Sequence, residues 1–569
     1  MNKPSLISPS FFKTSLFLRA FIIALLLLST HAATRGERRE HVVDAWRPIH
    51  YNVALVFNDQ LSEITSAETE ISINVLKDNL NVLDLDFGEM TIDAVTIANV
   101  PARYEQRDGL LNITLPKTAR RGDRLVVKIK YHGRPKDGLA LTLDKAGKPT
   151  ATGDNWPNRV HHWIPCLDHP SAKATVNFTV TAPARDLVVS NGAMLATRDN
   201  ADSTRTWDYS ERVPIPAYCM IVGVAEYAHF EAQPSVLTPL AFYGPQTERE
   251  RFVQGFNSAD ESLAFLSEKV ARYPYEKLAL IVGATRFGGM ENSSAIVFSS
   301  TFFDPRQAPP QFISPHFNIR SDIEATVAHE IAHQWFGDSV TESTWADLWL
   351  SEGFATYFAA LFIERYEGEP AFRAHMGRAA ETYFKYEREH RTPIYDRETV
   401  DLFKLLNANS YEKGAWVLHM LRSMLGDEAF FKGIKRYYAA HRDSTATTED
   451  LRAALEKASG KNLKEFFARW IYASGHPRYE AAWTWQQERA FGGTLTIRLR
   501  QLQDDAAFLM PFPIEIVTTD KTRRTTLKPE DKESVTRIHF AHRPTNVRFD
   551  PDETILKEIT VKGSVLKKK

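Results

Sequence analysis

His329-Glu330-Ile331-Ala332-His333 is the stretch on which the reading of this 569-residue chain turns, and Gln334-Trp335-Phe336-Gly337 follows it directly. In an α-helix, residues four apart lie one turn apart on one face, so His329 and His333 can present two imidazoles to one ion. Glu330 points about a quarter turn away. That is a poor position for a third ligand and a suitable one for a base acting on metal-activated water. The flanking sequence supports a helix. Ser321 and Glu324 have the spacing of a capping box, which predicts a helix from Asp322. Val327, Ile331 and Trp335 recur at four-residue intervals and give an apolar stripe opposite the histidines.

A helix-borne zinc site needs a third protein ligand and an open fourth position. Glu352 is the candidate, in Asp347-Leu348-Trp349-Leu350-Ser351-Glu352-Gly353-Phe354-Ala355. Its neighbours are apolar, and a carboxylate in such surroundings needs a cationic partner. Asp347 is read either as a partner that orients a ligand histidine or as a plain structural residue.

The rest of the chain bounds what this site can serve. Composition is that of an ordinary globular protein, 43% apolar and 25% charged with net charge −1. No basic excess is available to neutralise phosphates, so nucleic acid is not expected as a partner. The N-terminus reads as an export signal over residues 1–33. Lys3, Lys13 and Arg19 precede the apolar run Ala20 to Leu28, and small residues follow near Ala32. The alternative is an uncleaved anchor. With the signal removed, no stable membrane span is expected, and the protein would be periplasmic or secreted. The two cysteines, Cys166 and Cys219, either pair or are two inert buried thiols.

Pattern divides the remainder into three. Residues 41–233 are β-rich: alternation runs through Tyr51 to Phe57, Glu68 to Val75 and Val127 to Tyr131. Residues 234–475 mix a helical pattern over Arg249 to Ala271, a strand at Leu278 to Val282, and helices after the histidine motif. Residues 478–562 return to short alternating strands such as Thr494 to Arg500, which suggests a small β-sandwich. The expected class is multidomain α+β.

The histidine pair, Glu352 and the upstream Gly288-Gly289-Met290-Glu291-Asn292 resemble the zinc aminopeptidase family of gluzincin metallopeptidases, which includes aminopeptidase N and leukotriene hydrolase. Pro165-Cys166-Leu167-Asp168-His169-Pro170 is similar to the family's Pro-Cys-x-Asp-x-Pro turn, and Tyr411-Glu412-Lys413-Gly414-Ala415 to its catalytic tyrosine segment. The resemblance implies a saddle-like N-terminal β domain, a thermolysin-like catalytic domain and one Zn²⁺ held by His329, His333 and Glu352. It also implies hydrolysis of the N-terminal residue from peptides, with Glu330 as general base and Tyr411 stabilising the oxyanion. Glu291 would bind the substrate's free α-amine. Gly288, Gly289 and Met290 would line the edge along which the peptide backbone lies.

Two departures from the family pattern stand out. Where many members carry a Gln ahead of the Pro-Cys turn, this chain reads Asp154-Asn155-Trp156-Pro157-Asn158-Arg159-Val160-His161-His162-Trp163, leaving Asn155, Trp156 or His161 as replacements. The helical domain that larger members place over the active site is not represented, which implies a more open cleft. Competing readings are an inactive peptide-binding protein on the same fold and a bifunctional epoxide hydrolase. Nothing in the sequence sets the oligomeric state.

Overall fold

The computed structural model describes residues 38–303, 316, 318–488 and 492–562. The expected signal segment, most of the Pro-rich stretch after Asp304 and the basic C-terminal end lie outside the described residues. Two compact units result. In the small one, the Arg38 amide donates to Arg397 O (2.7 Å) and its guanidinium to Thr399 O (2.8 Å). All else described below belongs to the large unit, Glu40–Asp396 with Asp401–Lys569. Among the described residues, no helix is long and apolar enough to cross a membrane.

The alternating stretches form strands whose inward residues are buried and whose outward residues are not, as a sheet with one covered face requires. Trp46–Phe57 pairs in parallel with Ala174–Pro183 and antiparallel with Ile64–Val75, at the centre of an eight-stranded sheet. A four-stranded sheet (Leu187–Ser190, Val222–Ala225, Pro149–Gly153, Leu139–Leu143) and a three-stranded one (Leu80–Asp86, Leu110–Ala119, Arg103–Arg107) complete the N-terminal region. A five-stranded sheet follows in the order Tyr227–Glu231, Leu240–Pro245, Leu278–Gly283, Ala295–Ser299, Gly289–Met290. It starts at Tyr227, ahead of the composition change at position 234. Gly289–Met290 is its outermost strand. The C-terminal residues form a four-stranded sheet containing Arg478–Gln487 and Gly493–Gln501 and a three-stranded sheet centred on Phe512–Val517.

Some local expectations change. Arg249 to Ala271 is two helices, Arg249–Gly255 and Ala259–Lys269. The break turns Phe256 inward, where it is fully buried against the rings of Phe242, Phe298 and Phe303. Burying that ring outweighs one continuous helix. The histidine helix spans Ser321–His333, one residue earlier than expected, with Arg320 at its N-cap and no side-chain cap. Ser321 already has a helical position, so no capping box forms with Glu324. The capping box that does form joins Thr447 and Asp450 at the start of Thr448–Ser459. Val327, Ile331 and Trp335 are fully buried as the stripe requires, and the Trp335 indole donates to Ala271 O (2.8 Å). Cys166 and Cys219 are both buried and unpaired; the Cys219 thiol donates to Asp338 Oδ1 (3.2 Å).

The site depends on one close crossing. Glu352 lies on the helix Trp349–Glu367, and Tyr411 on a π-helical turn, Asn409–Lys413, that runs into the helix Gly414–Leu425. These meet at Gly353 and Gly414. A Cβ on Gly353 would lie 2.9 Å from Gly414 Cα and 3.1 Å from Ser410 O. Both obstacles are backbone and cannot swing aside. Gly353→Ala is therefore expected to lower stability by about 1–3 kcal/mol, the usual cost of overpacking. Urea unfolding checks this, and an unchanged midpoint would show that the crossing has slack.

Candidate functional site

The histidine helix delivers both imidazoles to one point. His329 Nε2 and His333 Nε2 are 3.0 Å apart, and Glu352 Oε2 lies 3.3 Å from each. Among the described residues this is the group of His, Cys, Asp and Glu side chains arranged to hold a metal. The triangle fits zinc: ligands about 2.0–2.1 Å from a tetrahedral ion stand about 3.3 Å from one another. Glu352 Oε2 has no hydrogen-bond partner, although Glu352 is buried. Its carboxyl is held down at about 2: burial opposes ionisation, and the adjoining His333 and His329 outweigh it.

The tautomer of His333 is set from behind. Its Nδ1 lies 3.1 Å from Phe336 O and 3.0 Å from Ser351 Oγ; in the neutral ring that a metal ligand requires, an Nδ1–H donated to that carbonyl leaves the Nε2 lone pair facing the cleft. Ser351 immediately precedes Glu352, so one helix turn supplies both a ligand and a support for another ligand. Asp347 does not orient a histidine. Its carboxylate accepts from the Thr448 amide (2.9 Å) and hydroxyl (2.7 Å) and from the Thr344 hydroxyl (3.2 Å), which is a structural role at the start of Thr448–Ser459.

A cleft of about 390 Å³ opens on this triangle, lined by His329, His333, Glu352, Glu330, Glu291, Gly288, Gly289, Met290 and Tyr411. Every site residue expected from the sequence therefore faces the same space. Glu330 is buried, and burial pushes its carboxyl well above the usual range, with His333 opposing and Glu291 adding. Gly289 is a glycine for a steric reason: a Cβ there would lie 2.4 Å from the Glu330 carboxyl carbon. The edge strand and the candidate base touch through that missing side chain. At Gly288 a Cβ would meet nothing within 4 Å. Burial raises Glu291 to about 7, with His333 opposing and Glu352 adding, and a cation placed beside it would favour the charged carboxylate again.

Tyr411 stacks on the His329 ring, centroids 5.9 Å apart and 12° between planes. Its π-helical turn is pinned by Asn409 Nδ2, which donates to Thr392 O (3.1 Å) and Oγ1 (2.9 Å), and by the Ser410 hydroxyl, which donates to Leu405 O (2.8 Å). Burial and the nearby Glu352 raise the phenol, so it keeps its proton and acts as a donor.

Of the three proposed replacements for the family's Gln, Trp156 lines the cleft. Asn155 is fully buried, donating to Met220 O and accepting from the Trp163 indole (2.8 Å), and His161 is bound to Asp168 (2.8 Å). Trp156 and Phe287, edge to face at 6.1 Å, line the same cleft as Glu291, and Phe403 packs on Trp156 at 5.9 Å. Sequence reasoning missed His375, on the helix Glu369–Glu387, which lines the other side. Burial, Arg378 and His329 lower it to about 4, so it is neutral. The N-terminal region also reaches the loop behind the histidines. The Lys173 ammonium donates to Asp338 O (2.7 Å) and Ser339 O (2.8 Å), and the Tyr218 hydroxyl to Gly337 O (3.2 Å).

The chain is similar in sequence to known peptidases. Residues 47–219 match the peptidase M1 N-terminal domain and residues 255–470 the peptidase family M1 domain. Probable aminopeptidase 1 of Sulfurisphaera tokodaii is 25% identical over 516 residues, covering 89% of this chain and 62% of that protein. Tricorn protease-interacting factor F2 of Thermoplasma acidophilum is 28% identical over 406 residues, 69% of this chain and 50% of the relative. Aminopeptidase M1-A of Oryza sativa subsp. japonica is 30% identical over 359 residues, 61% and 39% respectively. The chain thus spans less than two thirds of the length of these relatives. Two domain models of one family, matched in order over more than half of the chain, establish that this protein belongs to peptidase family M1.

Proposed function

We propose that this protein is an exported zinc aminopeptidase that removes the N-terminal residue from peptides. In this reading a thermolysin-like catalytic domain lies between a saddle-like N-terminal β domain and a small C-terminal β-sandwich. The observation that carries the reading is the meeting in one cleft of the His329–His333–Glu352 triangle with Glu330, Tyr411 and Glu291. That complete set also speaks against an inactive binding protein on the same fold.

His329, His333 and Glu352 would hold Zn²⁺, which when bound supplies Lewis acidity toward the scissile carbonyl and lowers the pKa of a water to about 7. Glu330, beside the ligands and against the Gly289 backbone, accepts the proton of the attacking water and returns it to the leaving amine. Tyr411 donates its phenol hydrogen bond to the oxygen on which negative charge develops. Glu291 pairs with the substrate's α-ammonium. An internal peptide bond offers no such cation, which restricts cleavage to the first residue. The aromatic pair of Trp156 and Phe287, in the same cleft as that carboxylate, favours a large apolar first side chain.

Three outcomes are expected. Metal analysis after dialysis against excess zinc should find one ion per chain, and alanine at His329, His333 or Glu352 should abolish retention; full retention in any of these variants would break the ligand set. Against a panel of aminoacyl chromogenic amides, the protein should hydrolyse at least one member, with activity lost to a chelator and restored by zinc. No turnover from the zinc-loaded protein would contradict the proposal. Glu330→Gln should keep its zinc while turnover falls by about 10²–10⁴-fold, the range for removing a general base. Wild-type rates from that variant would assign the base elsewhere.

A further inference from the structure

Gln334 follows the second histidine directly, is fully buried, and sits at the C-terminal end of the histidine helix. No step of the chemistry above uses it. Its side-chain amide nevertheless fills each of its hydrogen-bonding positions. Oε1 accepts from the Ser294 amide (2.8 Å) and from the Tyr273 hydroxyl (3.0 Å), whose one proton is shared with Lys277 O (3.0 Å). Nε2 donates to Glu291 O (2.8 Å) and Asp338 Oδ2 (2.9 Å). Two of these four bonds go to the main chain on either side of Asn292-Ser293, so the amide brackets the segment that carries Glu291.

That segment has a conformation its surroundings must enforce. Ser294 has φ +61, a left-handed backbone that a serine adopts only when held there. The holds come from several parts of the chain. Asn191 Nδ2 donates to Ser293 O (2.6 Å), the Lys277 ammonium to Ser294 O (2.9 Å), and the Ser294 hydroxyl to Glu211 Oε2 (3.0 Å). Gln334 contributes the hold that starts from the histidine helix. It is one residue from His333 and bonded to the main chain of Glu291, so it links the metal ligands to the amine-binding carboxylate through a single side chain. Asp338, which accepts from the same amide, is gripped in turn by the Cys219 thiol.

We propose that Gln334 is a positioning residue that fixes where the Glu291 carboxylate stands relative to the metal ligands, and so sets how strongly the site prefers a free α-amine. This rests on the reading of Glu291 as the amine binder. A carboxylate that shifts away from the ammonium loses the selective contact, whereas ligands on the histidine helix are unaffected. A purely structural glutamine would behave differently, because its loss would lower stability and scale all binding alike.

The test uses the full chain loaded with zinc. The probes are leucine hydroxamate and its des-amino counterpart, which share the metal-binding group and differ only in the α-amine. Calorimetry gives the affinity ratio for wild type, Gln334→Met, which keeps length and volume without the four bonds, and Tyr273→Phe, which removes one of them along with the hydroxyl's bond to Lys277 O. The ratio should favour the amine in wild type, fall about tenfold or more in Gln334→Met and fall by less in Tyr273→Phe. Zinc content and affinity for the des-amino probe should stay constant across the series. An unchanged ratio in Gln334→Met overturns the proposal. If that variant does not fold, an unchanged ratio in Tyr273→Phe does so. A wild-type protein that does not discriminate between the probes overturns the role of Glu291 as well, and the two failures are thereby told apart.

Discussion

Two imidazole nitrogens and one carboxylate oxygen stand 3.0–3.3 Å apart in a buried cleft. Three electron-pair donors that close need a positive charge among them, a proton or a shared metal ion, to be favourable away from water. The fold must hold these groups together, and much of the surrounding structure can be read as doing so. The buried stripe of Val327, Ile331 and Trp335 anchors the histidine helix. The Phe336 carbonyl and Ser351 hydroxyl fix the His333 ring. The contact of Gly353 with Gly414 brings the Glu352 helix and the Tyr411 turn close enough to share the site.

Around this triangle the chain places carboxyls of different charge. Glu352 is held ionised by its histidines, whereas burial raises both Glu291 and Glu330. Carboxyls of one chemical type are thus prepared for different work by their surroundings. Gly289 lets the edge strand lie directly on Glu330, so the surface along which a peptide would align and the candidate base are in register by contact. Tyr411 is held against His329 by a π-helical turn, a geometry that often marks functional positions.

How far the sequence disclosed all this depends on how local each feature is. The histidine pair needs only helical spacing, and Glu352 is marked by the apolar residues that surround it. Both are legible in a few residues. Glu291 and Tyr411 carry no such local mark and were reached through family resemblance. Ser351, His375 and the clamp of Gln334 were not legible, because their partners lie on distant segments. Gln334 bonds to Tyr273, Glu291, Ser294 and Asp338, and no periodicity predicts which chain segments will meet there. Tertiary contact also decides what the sequence leaves open or misplaces. For Asp347 two readings stand, support of a histidine or a plain structural role, and the contact with Thr448 gives the second. The expected helix over Arg249 to Ala271 breaks because Phe256 finds a better environment inside the protein. The β-rich, mixed and β-rich order of the chain was legible from alternation and helical periodicity, which are properties of single elements. The order of strands within the sheets was not.

The chemistry of the cleft depends on the triangle. Anomalous diffraction recorded on either side of the zinc absorption edge, from crystals grown with zinc, locates the ion without reference to activity. The expected result is one peak per chain bonded to Nε2 of His329, Nε2 of His333 and the Glu352 carboxylate. A peak at another set of side chains, or none at this one at full zinc occupancy elsewhere, would contradict it.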